Sequence, residues 1–249
     1  MKRINLIVIC CILSLSLSAC GNSDPAVSNT ETITQNTDLE VQNTAEAESS
    51  VQEKAEQEFS NIEIECKTGT INICSGEAFS FTDKSGKAVE YSVLDDTLCI
   101  ADQGADELTL ILPDDYSYDT VTLSVDKGHV YSDYSFNVKQ FNLDLDDGEV
   151  SLEQIQVSEN CLTQVKRGSA FLNGTFTGTV DAACREGHLQ IQTPGKQTDF
   201  NYSLKMTAGN LQVGEDGYHG AADKMIDNGA VNTMNLSCTF GDIAVIFEA

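Results

Sequence analysis

Gly148-Glu149-Val150-Ser151-Leu152 is one copy of a pattern in which a glycine is followed by a polar residue and then by alternating apolar residues. The other copies are Gly128-His129-Val130, Gly168-Ser169-Ala170-Phe171-Leu172, Gly187-His188-Leu189-Gln190-Ile191 and Gly209-Asn210-Leu211-Gln212-Val213. From the first copy to the last, the glycines are separated by 20, 20, 19 and 22 residues. A nearly fixed period with one strand signal per repeat indicates units that cannot bury their apolar faces alone, so neighbouring copies must stack. The stretch therefore predicts a β-solenoid.

Alternation within each copy predicts which residues point inward. Successive side chains of a strand point to opposite faces, so the second and fourth residues after each glycine share one side. We expect internal ladders made of Ile71, Ile73, Val150, Leu152, Ala170, Leu172, Leu189, Ile191, Leu211, Val213, Ile243 and Val245. The glycines should lie at corners, where close packing excludes a Cβ atom. No long segment carries a helical stripe, so we predict an all-β, single-stranded parallel β-solenoid (β-helix-like) over residues 59–249, with coils of about 20 residues.

Two intervals depart from the period. Residues 69–128 show no internal glycine copies, which indicates degenerate first coils. The interval from Gly209 to Gly241 is 32 residues, about 12 more than one coil. We interpret the excess as a corner loop, either a plain surface insertion or a candidate binding loop or cap carrying Asp216, Tyr218 and His219. With so little chain after residue 247, the last strand should either be covered by this insertion or form an edge that is open to a partner.

The first 20 residues have the features of a processing segment. Lys2 and Arg3 precede the apolar run Leu6–Leu17, which is too short to span a bilayer by itself. The following Leu17-Ser18-Ala19-Cys20-Gly21 resembles the lipobox of bacterial lipoproteins. That resemblance implies a signal peptide at residues 1–19, removed by cleavage before Cys20, and attachment of acyl chains such as palmitate to Cys20. An ordinary secretory signal with a coincidental cysteine is the alternative.

An acidic linker follows. Residues 21–57 contain no aromatic residue and a single basic residue, Lys54, so residues 20–58 are predicted to be a lipidated cysteine and a disordered tether. The whole chain has 14 Lys and Arg against 39 Asp and Glu, a formal charge of −25 that becomes −27 after cleavage. Such a charge repels nucleic acid and anionic lipid headgroups, which excludes a nucleic-acid partner.

Catalytic and metal-binding patterns were not found, so no catalytic residue, metal ligand or cofactor is predicted. His129 and His188 both follow a repeat glycine and should point outward, three coils apart, which is too far for a shared zinc ion. His219 lies in the insertion. Asp144-Leu145-Asp146-Asp147-Gly148 lacks the spacing of a calcium loop.

Six cysteines follow Cys20: Cys66, Cys74, Cys99, Cys161, Cys184 and Cys238. They are too few for a disulfide scaffold, although an exported protein can form bridges. Cys66, Cys184 and Cys238 share the parity of the apolar ladders, which favours free buried thiols.

The order of these features resembles a known family. A degenerate first half ends an apolar strand with Leu112-Pro113, glycine-led strands repeat, and the chain closes with Phe240-Gly241-Asp242-Ile243-Ala244-Val245. From about Ile62 to Phe247 the chain is similar to the bacterial β-strand-repeat proteins known as the putative adhesin family. The resemblance implies a β-helix-like domain at the cell envelope, and it supplies no catalytic residues.

Two functional hypotheses remain. The first is a non-enzymatic lipoprotein, anchored in the cell membrane on its extracytoplasmic side, that acts as an adhesin-like or scaffold module for a protein or glycan partner. The alternative is a β-helix carbohydrate-active enzyme acting on extracellular polysaccharide. The small number of basic residues and the absence of tryptophan to stack on sugar rings disfavour the enzyme. The oligomeric state stays open.

Overall fold

The computed structural model describes residues 59–83, 90–102, 107–114 and 116–248. The predicted signal peptide, the lipidation site Cys20 and the linker lie outside these ranges. Within them, no helix is long and apolar enough to cross a membrane.

Strands make up most of the described chain, together with one short 3₁₀ turn at Gln197–Asp199. The strands are β1 (Asn61–Cys66), β2 (Thr70–Gly76), β3 (Ser80–Asp83), β4 (Glu90–Leu94), β5 (Thr97–Asp102), β6 (Glu107–Pro113), β7 (Ser117–Val125), β8 (His129–Leu145), β9 (Glu149–Val165), β10 (Ser169–Phe176), β11 (Thr179–Cys184), β12 (His188–Pro194), β13 (Phe200–Met206), β14 (Asn210–Val213), β15 (Asp216–His219), β16 (Ala222–Ile226), β17 (Asn232–Cys238) and β18 (Asp242–Glu248). The predicted all-β class is confirmed.

The strands stack into two faces. The long strands β8 and β9 contribute to both: the beginning of each strand belongs to face 2 and the end of each belongs to face 1. Face 1 has the order β4-β5-β1-β7-β8-β9-β11-β17-β13-β16. Face 2 has the order β3-β6-β2-β8-β9-β10-β12-β18-β14-β15. Pairing is parallel except for the four outermost strands, β3, β4, β15 and β16. In the middle of the stack, paired residues such as His129 and Glu149 are 20 apart in sequence, so the predicted parallel β-solenoid and its coil length are confirmed.

The core consists of the predicted ladders. Every residue named for them is buried, from Ile71 at one end to Val245 at the other. The inward-facing residues of face 1, such as Phe141 and Leu236, belong to the same core cluster as these ladders. The space between the two faces is therefore filled by side chains.

Corner glycines separate the two faces, as the pattern predicted. A Cβ atom added to Gly168 would fall on the backbone of Gly148 in the preceding coil, and one added to Gly187 would fall on the carbonyl oxygen of Gly168. These corners are therefore closed to any side chain.

The order of the coils at both ends differs from the order in the chain. The coil made by β1 and β2 lies between the coil of β5 and β6 and that of β7 and β8. Likewise, β17 and β18 lie between β11 and β12 on one side and β13 and β14 on the other. Both alternatives for the last strand were wrong: β18 is neither an open edge nor covered by the insertion, because it is paired on both sides.

The excess segment after Gly209 is also not an irregular loop. It folds into β15, which pairs antiparallel with β14, and β16, which pairs antiparallel with β13. The sequence suggested a loop because Gly214, Gly217, Gly220 and Gly229 interrupt it; three of these, Gly214, Gly220 and Gly229, have positive φ and form the turns around the two strands.

Candidate functional site

Outward-facing residues of face 2 form rows that run from coil to coil, because the strands are paired in register. One row, which we call the middle row, carries no charge along its length. It consists of Thr109, Asn72, Tyr131, Ser151, Phe171, Gln190, Ala244 and Gln212. Tyr131 is 37% exposed, and Phe171 lies two coils further along. The middle row thus presents two aromatic rings and three amides on rigid strands.

All three histidines lie in a neighbouring row, which we call the histidine row. Its members are Glu107, Thr70, His129, Glu149, Ser169, His188, Asp242, Asn210 and His219. As predicted, His129 and His188 are exposed and three coils apart. His129 Nδ1 is 3.6 Å from Glu149 Oε2, and His219 Nδ1 is 2.8 Å from Asn210 Oδ1. In the described part of the chain, no three His, Cys, Asp or Glu side chains are arranged to hold a metal ion.

A cleft of about 310 Å³ opens beside the middle row, where face 2 ends. Its walls are Asn72, Ile73, Cys74, Tyr131, Ser132, Asp133, Ser151 and Glu153. We call it the Tyr131 cleft. The repeat pattern does not indicate this cleft, although Cys74 shares the outward parity of Asn72, which places it on the same face.

A β-bulge shapes the cleft. Ser132 pairs with Leu152 and Ser135 pairs with Gln154, so Asp133 and Tyr134 together lie opposite the single residue Glu153. Tyr134 is buried, and its hydroxyl donates a hydrogen bond of 2.7 Å to the carbonyl oxygen of Pro113. With Tyr134 held inward, Asp133 is exposed next to Glu153. Bulges commonly redirect a side chain in this way.

Hydrogen bonds and nearby charges define the chemistry of the cleft. The Tyr131 hydroxyl donates to Glu149 Oε2 over 3.2 Å, and burial together with Glu149 raises the pKa of Tyr131. Burial and then Asp133 raise the pKa of the Cys74 thiol above its ordinary value of 9.0, so this thiol is protonated near neutral pH. The cleft therefore combines hydrogen-bond acceptors, an aromatic ring and a neutral thiol.

The residues of the predicted loop or cap do not converge on one site. Gln197 Nε2 donates to Asp216 Oδ2 over 2.8 Å, and His219 joins the histidine row. Tyr218 is partly buried against the core, with Lys224 Nζ 4.8 Å from the centre of its ring. That any of the three contacts a ligand stays a prediction.

The six cysteines after Cys20 are free thiols in the structure. Cys66, Cys184 and Cys238 are buried, as their parity predicted, and so is Cys161. Cys74 and Cys99 are half-buried, on face 2 and face 1 respectively.

Comparison with known proteins identifies a family. No curated protein matches the sequence. Similar solved structures include a "putative cell adhesion protein" from Clostridium sporogenes ATCC 15579, with 16% identity over 81% of this chain and 98% of that chain and a TM-score of 0.45. A "putative adhesin" from Bacteroides fragilis NCTC 9343 has 14% identity over 76% of this chain and 93% of its own, with a TM-score of 0.43. Residues 26–213, which are most of the chain, match the Toastrack DUF4097 family, and the chain therefore belongs to the Toastrack DUF4097 family.

Proposed function

We propose that this protein is a non-enzymatic, adhesin-like binding module that is held on the extracytoplasmic side of the cell membrane by a lipid on Cys20. In this proposal the acidic linker holds the β-solenoid away from the bilayer. Face 2, with its middle row and the Tyr131 cleft, is the surface that contacts a protein or glycan partner in the cell envelope.

The observation that carries the proposal is the middle row. Eight uncharged outward-facing residues follow one another along the stack in a protein whose surface is otherwise strongly acidic. Strands hold these side chains in place, so little conformational entropy is lost when a partner binds. Stacked repeats create extended binding surfaces of this kind in other solenoids.

The anchor is supported by the sequence Leu17-Ser18-Ala19-Cys20-Gly21 after the apolar run. We expect Cys20→Ala to move the protein from the membrane fraction to the medium, or to leave an uncleaved precursor. Cys11→Ala lies in the same apolar run but outside the lipobox, so it should leave the partition unchanged. Detergent-dependent membrane partition of the Cys20→Ala protein would contradict the anchor.

Binding can be tested with the soluble Cys20→Ala protein and intact envelopes of the source cells. We expect Tyr131→Ala to lower the amount bound. The matched control is Leu162→Ala on face 1, because Leu162 is 36% exposed and Tyr131 is 37% exposed. Equal binding by the two variants would contradict the assignment of face 2, and no binding by the parent protein would contradict the binding function.

A further inference from the structure

We propose that the Tyr131 cleft binds a cationic side chain of a partner protein, arginine in preference to lysine. The inference rests on the proposed function, since it assigns the partner's chemistry to face 2. Charge, wall composition and the geometry of the bulge each support it.

Charge complementarity is the first support. Lys139 of β8 lies in the part of that strand near face 1, beside Asp119 of β7, and the other described outward-facing residues of the face 2 strands include no lysine or arginine. Asp133 and Glu153 line the cleft, and Glu149 is bonded to the Tyr131 hydroxyl at its edge. Elsewhere in the described chain, some carboxylates have cations of their own: Asp119 is 2.6 Å from Lys139, and Asp144 is 3.5 Å from Lys166.

Among the described residues, Asp133 and Glu153 have no cation of this kind, whereas Glu149 Oε2 lies 3.6 Å from His129 Nδ1. Glu153 accepts a hydrogen bond of 3.5 Å from the Ser151 hydroxyl, and Glu149 is bonded to the Tyr131 hydroxyl. In the described part of the chain, neither Asp133 nor Glu153 forms an ion pair. A guanidinium or ammonium group entering the cleft would supply the cation that these two carboxylates lack among the described residues.

The walls fit a side chain that has an apolar stem and a charged head. Cys74 and the Tyr131 ring, which both face outward, line the cleft with apolar atoms. Arginine and lysine bury their methylene stems in such surroundings while the charged head reaches polar groups. Arginine is favoured because its planar guanidinium can stack on an aromatic ring and bond a carboxylate with two parallel hydrogen bonds.

The size of the cleft favours a single side chain over an amino-sugar chain. About 310 Å³ is near the lower limit of ligand pockets, which span ~300–1,000 Å³. One exposed ring borders the cleft, whereas a chain of sugars would need several platforms. The bulge holds Asp133 beside Glu153 before any ligand arrives, which lowers the cost of binding.

Cys74 provides a direct reporter of occupancy. It lines the cleft, and Cys99 on face 1 is a matched internal control, because it too is half-buried with a pKa raised mainly by burial. The full chain is treated with iodoacetamide, and the alkylation rate of each cysteine is followed by peptide mass mapping. The probes are acetyl-Gly-Arg-Gly-amide, its lysine analogue and its citrulline analogue, which has nearly the shape of arginine without the charge.

The arginine peptide is expected to slow alkylation of Cys74 roughly fivefold at saturation, with a smaller effect of the lysine peptide and none of the citrulline peptide. The rate at Cys99 should not change. High ionic strength should reduce the protection, because the cleft is open to solvent.

Variants separate the carboxylates from the rest of the surface. Asp133→Asn and Glu153→Gln should each abolish the protection of Cys74 by the arginine peptide. Because Asp133 raises the pKa of Cys74, the quantity compared is the ratio of rates with and without peptide in the same variant. Asp181→Asn on face 1, where Asp181 accepts a hydrogen bond of 2.7 Å from Asn235, is the control that should retain protection.

Equal protection by the arginine and citrulline peptides, or none by either, would overturn the proposal. Protection by glucosamine oligomers without protection by the arginine peptide would also overturn it and would assign the cleft to an amino sugar. In each of these cases, envelope binding that is lost in Tyr131→Ala and kept in Leu162→Ala would still support face 2 as the binding surface. The two proposals can therefore fail separately.

Discussion

Asn210 Nδ2 donates a hydrogen bond of 2.6 Å to Asp242 Oδ1, although the two residues are 32 positions apart. They lie at the start of β14 and β18, and Asp242 is also paired with His188 of β12. The last coil of the chain thus lies inside the stack, between the two coils that precede it in sequence. Ile243 and Val245 of β18 are consequently paired with a strand on both sides.

Leu189 tests the assignment of the inner ladder. It is fully buried, with Ala170 on one side and Ile243 on the other. Leu189→Asp would place a charge without a partner in the core, so the free energy of unfolding should fall by more than about 3 kcal/mol. His188→Asn, one residue away and facing solvent, should change it by less than about 0.5 kcal/mol. Denaturant unfolding measures both, and similar values would contradict the ladder.

A corner glycine gives an independent test of coil packing. The Cβ atom of Gly168→Ala would meet the backbone of Gly148 in the preceding coil, which cannot move aside without disturbing the pairing. Overpacking of this kind costs about 1–3 kcal/mol of unfolding free energy. Gly217→Ala is the control, because its Cβ atom would meet nothing closer than 3.7 Å. If thermal melts of the two variants coincide, the corners are looser than the structure indicates.

The inner ladders could be predicted from the sequence because they depend on local rules. Alternation within a strand decides which residues point inward, and the glycine before each strand marks the corner. Ile243 was assigned to the core in this way without knowledge of its neighbours. Its position between Leu189 and Leu211 could not be predicted, because a coil of the same length and parity fits equally well at either end of the stack.

The Tyr131 cleft depends on information that no single strand carries. Asp133 is next to Glu153 because two residues of β8 lie opposite one of β9, and a bulge appears only when both strands are aligned. The histidine row has a similar origin: His219 joins it through the antiparallel pairing of β15 with β14. A single repeat pattern predicted neither feature.

Buried thiols should make the protein sensitive to alkaline pH. Burial raises the pKa of Cys161 from 9.0 to about 12. Between these values the unfolded chain loses the proton while the folded protein keeps it, so the free energy of unfolding falls as the pH rises above about 9. Cys161→Ala should make this fall shallower. Val180→Ala, at the paired position in the next coil, removes buried volume but no titrating group and should keep the parental slope. Urea unfolding at pH 7 to 11 measures the slopes, and parallel profiles for Cys161→Ala and the parent would contradict the prediction.

Tyr218 should stabilise the end of the solenoid where β15 and β16 pair with β14 and β13. Its ring packs against the core from the end of the stack, and Lys224 Nζ lies 4.8 Å from the ring centre. Tyr218→Ala removes this cover, so we expect a loss of about 1–3 kcal/mol in unfolding free energy and faster amide exchange in β14. Met225→Ala on the adjacent strand is the control, because Met225 is 79% exposed and should contribute little. Unchanged exchange in β14 of the Tyr218→Ala protein would mean that β15 does not protect this end, and the segment would then be better regarded as a free surface for binding.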